Sequence, residues 1–243
     1  MNEIEKFRKE IEDNILLQGN NEQVKKAANE FMDASIRSRY SYNFTWLGRP
    51  IIQYPQDIIA IQEIIYKLQP DLIIETGIAH GGSLIFHASI CELIGKGEVL
   101  GIDIDIREHN KAAILNHRMS KRISMIQGSS IDEAIVKQVA ERVAGKETVL
   151  VILDSNHTHE HVLNEMKMYA PFVTANSYLL VFDTVVEDLA DDIYINRPWG
   201  VGDNPKTAVW EFLKSNSDFE IDKAIDNKLL ISVAPSGYLK KIR

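Results

Sequence analysis

Cysteine is nearly absent from this chain, with Cys91 alone among 243 residues. An internal disulfide and a cysteine-rich zinc site are excluded, and a reducing compartment suits that count. Long apolar runs are also missing: stretches such as Val149 to Leu153 fall far short of the roughly 20 residues that span a bilayer. Basic charge is in deficit, with 27 Lys and Arg against 35 Asp and Glu, a formal net charge of -8 and a pI near 5.4. Attraction to phosphate backbones or anionic lipid is therefore not built in, and nucleic acid is not an expected partner. The opening Met1-Asn-Glu-Ile-Glu-Lys lacks the basic and then apolar order of a secretory leader. No internal repeat, heptad array or flexible linker is found. The expectation is a soluble, cytoplasmic protein with no membrane span.

What is present is a hydrophobic share of 45% and a charged share of 26%, enough to bury a substantial core and unlike disordered or low-complexity chains. Residues 1 to about 45 are polar, with helical spacing at Ile4, Phe7, Ile11 and Ile15, and predict an N-terminal helical extension. Residues 46–243 are the expected main domain. An aromatic, turn-rich patch around Tyr40, Tyr42, Phe44 and Trp46 leads through Gly48-Arg-Pro50 to a helix pattern ending near Pro70. From Asp71 the pattern alternates. Strands are predicted at 71–75, 99–103, 123–127, 149–154 and 178–182, with helices between them. This rhythm predicts a mostly parallel sheet covered on both faces, with ligands at the carboxyl ends of its strands. After a polar loop over 184–204 and a helix over 205–215, two short pieces at 219–222 and 229–233 predict an antiparallel hairpin at the sheet edge.

Polar chemistry collects at the predicted strand tips. The first strand runs into Glu75-Thr-Gly77-Ile-Ala79-His-Gly81-Gly-Ser83. Small residues at alternate positions let a ligand approach the backbone, and the amides opening the next helix offer donors for a carboxylate. The spacing differs from the G-x-G-x-x-G dinucleotide fingerprint. An acid two residues before the first glycine suits a ligand with an ammonium group, such as S-adenosylmethionine; a solvated turn explains the same residues.

The second strand ends at Asp103-Ile-Asp105, where Asp103 can accept from ribose hydroxyls, cap its own turn, or join Asp105 as a metal dyad. Ser130, after the third strand, can meet an adenine edge or act as a helix cap. The fourth strand ends at Asp154, with His157, His159 and His161 following; 159 and 161 are expected on different helix faces. The fifth ends at Asp183. Asp154 and Asp183 together can make a magnesium-type oxygen site, or be two separate turn carboxylates.

These segments, with Glu75 to Phe86, Gly101 to Arg107, Leu153 to Val162 and 197–209, resemble the cephalosporin hydroxylase family from about Tyr40 onward. The resemblance implies a Rossmann-like class I methyltransferase fold, an S-adenosylmethionine cofactor, and in some members magnesium-dependent O-methylation. It places Glu75, Gly77, Ala79, Gly81 and Ser83 at the methionine end of the cofactor, Asp103 at its ribose, Ser130 near adenine, and Asp154 among both the cofactor and metal contacts. His157 occupies the position of the lysine general base in the similar catechol O-methyltransferase. Two departures stand out. Phe182 precedes Asp183 where the family has an acidic pair, leaving Glu187, Asp188 or water to compensate, or transfer without metal. His80 replaces a loop arginine.

The leading expectation is therefore methyl transfer to a hydroxyl of a small molecule or sugar, with Trp46 and Trp199 shaping the acceptor pocket and a homo-oligomer as the assembly. An NAD-dependent oxidoreductase and a non-catalytic nucleoside-binding subunit are the alternatives.

Overall fold

The computed structural model describes residues 2–243. Five parallel strands, β3 (Leu72–Thr76), β4 (Glu98–Asp103), β5 (Ile123–Gln127), β6 (Val149–Leu153) and β7 (Tyr178–Val181), form most of its main sheet. The linking helices are α4 (Gly82–Ile94), α5 (Glu108–Leu115), α6 (Glu133–Val143) and α7 (His159–Tyr169). Strand order is β5-β4-β3-β6-β7-β9-β8, where β8 is Phe219–Ile221 and β9 is Tyr238–Lys241. The chain moves outward from β3 to β5 and then returns to β6. A crevice therefore opens at the carboxyl ends of β3 and β6, where the winding reverses.

The strands are buried on both faces, which is why they read as continuous apolar runs. Ile73, Leu150, Ile152 and Leu180 pack against Ile61 and Ile65 of α3 (Pro55–Leu68) and against Leu84 of α4. Ile74, Leu100, Val151 and Leu179 face the other way, toward Val139, Leu163, Met166 and Val209. Burial of each such side chain contributes about 1.5–3 kcal/mol. Helix ends follow local chemistry: Gly95 closes α4 in a left-handed conformation, and Asn204 caps α8 (Pro205–Ser215) with Pro205 in its first turn.

The expected N-terminal helices are α1 (Glu3–Gly19) and α2 (Glu22–Arg37). The aromatic patch is not merely turn-rich. After a 3-10 turn at Tyr40–Asn43 it forms a separate antiparallel hairpin of β1 (Phe44–Trp46) and β2 (Arg49–Ile51), so the 45/46 boundary falls inside β1.

The C-terminal hairpin needs correction. Residues 229–233 form no strand; the Asp222 side chain accepts from the Ala224 amide and starts helix α9 (Lys223–Leu229), and Leu230 has a left-handed φ of 57°. The pairing strand is β9, which lies between β7 and β8 and runs antiparallel to both. Short apolar runs do not distinguish strand from helix end until a partner fixes them.

Candidate active site

Glycines shape the turn from β3 into α4. Gly77 has φ 90°, and a Cβ there would lie 2.0 Å from the Asp154 carbonyl. Gly82 opens α4 against the Pro50 carbonyl, 2.1 Å from where its Cβ would sit. No side chain caps α4 at Gly81, so its first amides remain free for an anionic ligand group.

The β1–β2 hairpin supports this loop from outside. Arg49 Nε donates to the His80 carbonyl at 3.0 Å, Arg49 Nη2 donates to Asn110 Oδ1 at 3.0 Å, and Asn110 Nδ2 donates to the Ala79 carbonyl at 2.9 Å. A guanidinium thus serves the loop although position 80 is histidine. No local pattern marks Asn110 for this role, and Arg49 carries only the turn signal Gly48-Arg-Pro50 of which it is the middle residue.

A cavity of about 150 Å³ lies inside, bounded by β2, the loop, Ser83, Asp103, Asp154 and Ser155. Gly77 and Ala79 line it as well. Asp103 holds the loop: its Oδ2 accepts from the Ile78 amide at 2.7 Å, and Oδ1 accepts from the Asp105 amide at 2.9 Å. Glu75 is not part of the wall. It is 1% exposed and faces the equally buried His87 of α4, with 3.4 Å between Oε2 and Nε2. Gly81 sits behind the loop, where a Cβ would strike Ile114.

Asp154, His157 and Asp183 converge at the neighbouring tips, each offering a ligand atom within 4.8 Å of the others. His157 Nε2 lies 3.1 Å from Asp183 Oδ2. Trp199 packs edge-on to the imidazole at 4.8 Å between ring centroids, and the Arg197 guanidinium stands 5.3 Å above the indole. Burial, followed by the charges of Asp183, Glu75, Glu165 and Asp57, holds the Asp154 carboxyl well above the ordinary aspartate range. The repulsion among these carboxyl groups is what a nearby cation would relieve.

Phe182 is buried in the core. Neither acid suggested as its substitute is free. Glu187 accepts from the Gly202 amide at 2.8 Å, and Asp188 pairs with Lys206 at 2.7 Å.

The other two histidines diverge as expected. His159 reaches Thr207 at 2.8 Å and Glu211 at 3.1 Å, whereas His161 turns inward to Ser130 at 3.2 Å and Ser155 at 3.3 Å. Ser155 also donates to the fully buried Glu165 at 2.7 Å. Ser130 is therefore buried in this network, with its carbonyl accepting from Tyr169 at 2.9 Å, and it does not line the cavity.

The sheet order, the glycine loop and the acidic strand tips define a class I methyltransferase. The Rhamnosyl O-methyltransferase/CmcI family model matches residues 38–242, and the chain belongs to that family. Rhamnosyl O-methyltransferase of Mycobacterium tuberculosis is 33% identical over 200 residues, covering 80% of this chain and 77% of the relative. The Mycobacterium leprae protein of the same name is 32% identical, covering 80% of this chain and 82% of its own.

Among solved structures, CmcI-N160 in its apo form superposes with a TM-score of 0.61 at 18% identity, over 83% of this chain and 77% of the other. The CmcI-D160 structure with Mg and SAM gives 0.58 at 19%, over 83% and 78%. An enzyme of the S-adenosylmethionine-dependent O-methyltransferase class results, which sets aside the oxidoreductase and non-catalytic alternatives. No helix among the described residues is long and apolar enough to cross a membrane.

Proposed function

We propose that this protein methylates a sugar hydroxyl, with His157 as general base. The observation that carries this reading is the 3.1 Å contact between His157 and Asp183 beside Asp154, at strand tips adjoining the glycine loop. The name of the mycobacterial relatives supports a rhamnosyl-type acceptor. S-adenosylmethionine supplies the methyl group: its S–CH3 bond breaks as an O–CH3 bond forms, leaving S-adenosylhomocysteine.

Gly77, Ala79 and the α4 amides at Ser83 hold the methionine end, Gly81 sets the turn behind them, and Glu75, behind the wall, contributes only its charge toward the ammonium. Asp103 keeps lone pairs for the ribose hydroxyls besides those given to the loop; Ser130, buried against His161 and Tyr169, takes no part in holding adenine. His157 takes the acceptor proton, and Asp183 stabilises the imidazolium that results. Trp199 forms an apolar wall beside the imidazole and orients the sugar, since alignment of oxygen, carbon and sulfur is the main source of rate.

The pair Asp154 and Asp183 fits an oxygen-preferring cation such as Mg2+, given their proximity and their oxygen donors. A bound cation supplies Lewis-acid stabilisation of the alkoxide. In this reading residues 1–45 are an extension that joins copies of the chain, residues 46–243 are the catalytic unit, and the protein works in the cytoplasm.

The test is titration calorimetry with S-adenosylmethionine, followed by S-adenosylhomocysteine release in the presence of p-nitrophenyl α-L-rhamnoside or the matching glucoside. Micromolar binding and rhamnoside-dependent release are expected. Absence of binding, or tighter binding of NAD, refutes the reading.

A further inference from the structure

Gln53 stands between two fixed points, in the short link from β2 to α3. Before it, the Pro50 carbonyl lies so close to α4 that a Cβ on Gly82 would meet it at 2.1 Å. Directly after it, Tyr54 is fully buried, with its hydroxyl 2.7 Å from Ser35 Oγ. The backbone that presents Gln53 is thus held from both sides, whereas its side chain is not. Gln53 is 3% exposed, and its Oε1 is shut off from solvent with no hydrogen-bond partner.

A buried carbonyl oxygen left without a donor is destabilising, and each such group in a folded protein calls for a reason. Glu75, His87 and Glu165 also carry unpaired buried atoms, but among the described residues with such atoms Gln53 alone lines the cavity beside Gly77, Ser83, Asp103 and Asp154. Rotation about the last side-chain bond, a broad torsion in glutamine, turns the amide oxygen to the cavity face.

Donors and acceptors around the cavity are divided between the groups a ligand can bring. The uncapped amides of α4 are donors and suit a carboxylate. Asp103 Oδ2 already accepts from the Ile78 amide at 2.7 Å, and Glu75 lies behind the wall. An unpaired acceptor needs a donor, and the methionine end of S-adenosylmethionine has one, its ammonium. The described residues lining the cavity include none of His157, Asp183 and Trp199, so the group that meets Gln53 belongs to the cofactor and not to the methyl acceptor.

We infer that Gln53 binds the cofactor directly, its Oε1 accepting a hydrogen bond from the ammonium of S-adenosylmethionine. This rests on reading the cavity as the cofactor site. The segment after the hairpin then works from inside the cavity, while Arg49 braces the loop from outside. The empty protein carries the cost of the unpaired amide, and only a ligand with a donor at this point removes it.

Titration calorimetry of the wild type, Gln53→Leu and Gln53→Glu with three probes tests this. The probes are S-adenosylhomocysteine, decarboxylated S-adenosylmethionine, which keeps the ammonium without the carboxylate, and 5′-methylthioadenosine, which has neither. Gln53→Leu is expected to weaken the first two by about 10-fold or more and to leave the third unchanged. Its urea midpoint without ligand is expected to equal or exceed that of the wild type, because the unpaired amide is gone. Gln53→Glu is expected to keep S-adenosylhomocysteine affinity, since a carboxyl retains an acceptor oxygen in either protonation state. A loss confined to S-adenosylhomocysteine overturns the ammonium contact. A loss shared by all three probes, with a lowered urea midpoint, marks a purely structural residue and also overturns it. Wild-type binding with Gln53→Leu unchanged overturns this inference alone, whereas a wild type that binds none of the probes removes the cofactor reading of the cavity with it.

Discussion

Asp183 holds its carboxylate 3.1 Å from His157 Nε2 while its own backbone is left-handed, at φ 53°. Such a conformation costs a non-glycine residue on the order of 1 kcal/mol or more, and here it turns the chain directly after β7 so that the side chain faces the imidazole. Replacing His157 with Ala is expected to lower methyl transfer by about 100- to 10,000-fold with S-adenosylmethionine affinity retained. Single-turnover transfer and calorimetry on the same variant check this. Unchanged transfer removes the base assignment.

Arg49 links the hairpin to the cofactor loop through the His80 carbonyl and Asn110. Charge-assisted contacts of this kind contribute about 1.5–3 kcal/mol, so Arg49→Ala is expected to weaken S-adenosylmethionine binding by roughly tenfold or more. Arg49→Lys is expected to recover only part of it, because an ammonium lacks the planar fork. Calorimetric Kd values for the three proteins decide.

At Gly77 both the positive φ and the close Asp154 carbonyl exclude a side chain. Gly77→Ala is expected to push β3 away from β6 at the crevice, destabilising the fold by on the order of 1–3 kcal/mol and abolishing measurable cofactor binding. Urea denaturation with calorimetry checks this, and a stable variant with native affinity contradicts the close approach.

Asp57 of α3 is fully buried and accepts from Ser232 (2.6 Å), Val233 N (3.0 Å) and Tyr238 (2.7 Å), and burial pushes its carboxyl up to about 6. Its ordinary value is 3.8. The folded state therefore binds the proton more tightly than the unfolded state, and stability is lost as pH rises from about 4 through about 6. The loss is about 3 kcal/mol for a shift of this size. In Asp57→Asn this part of the slope is expected to vanish. The variant should be less stable overall, since its amide NH2 would face the Val233 N–H. Urea midpoints between pH 4 and 6.5 for both proteins test the sign.

Removal of divalent cations by chelation is expected to reduce methyl transfer, because in the proposed mechanism the cation held by Asp154 and Asp183 stabilises the alkoxide. Restoration by Mg2+, and its absence in Asp183→Asn, complete the check. Chelation without effect argues for transfer by His157 alone.

Local pattern carried much of this protein by itself. The five parallel strands, with α8 at its observed bounds, follow from apolar runs punctuated by glycine and capping residues, because buried strands and amphipathic helices leave periodic traces in sequence. Convergence of Asp154, His157 and Asp183 was legible as well, since parallel strand tips share one edge of a sheet. Tertiary structure alone decided the rest. Residues 229–233 look like a strand until Asp222 nucleates a helix before them and β9 takes the place beside β7. Arg49 and Asn110 meet the loop across 31 residues each, and Glu187 and Asp188 are engaged by Gly202 and Lys206. Each of these depends on a partner distant in the chain, and a one-dimensional pattern carries no record of which distant group will satisfy a donor, an acceptor or a charge.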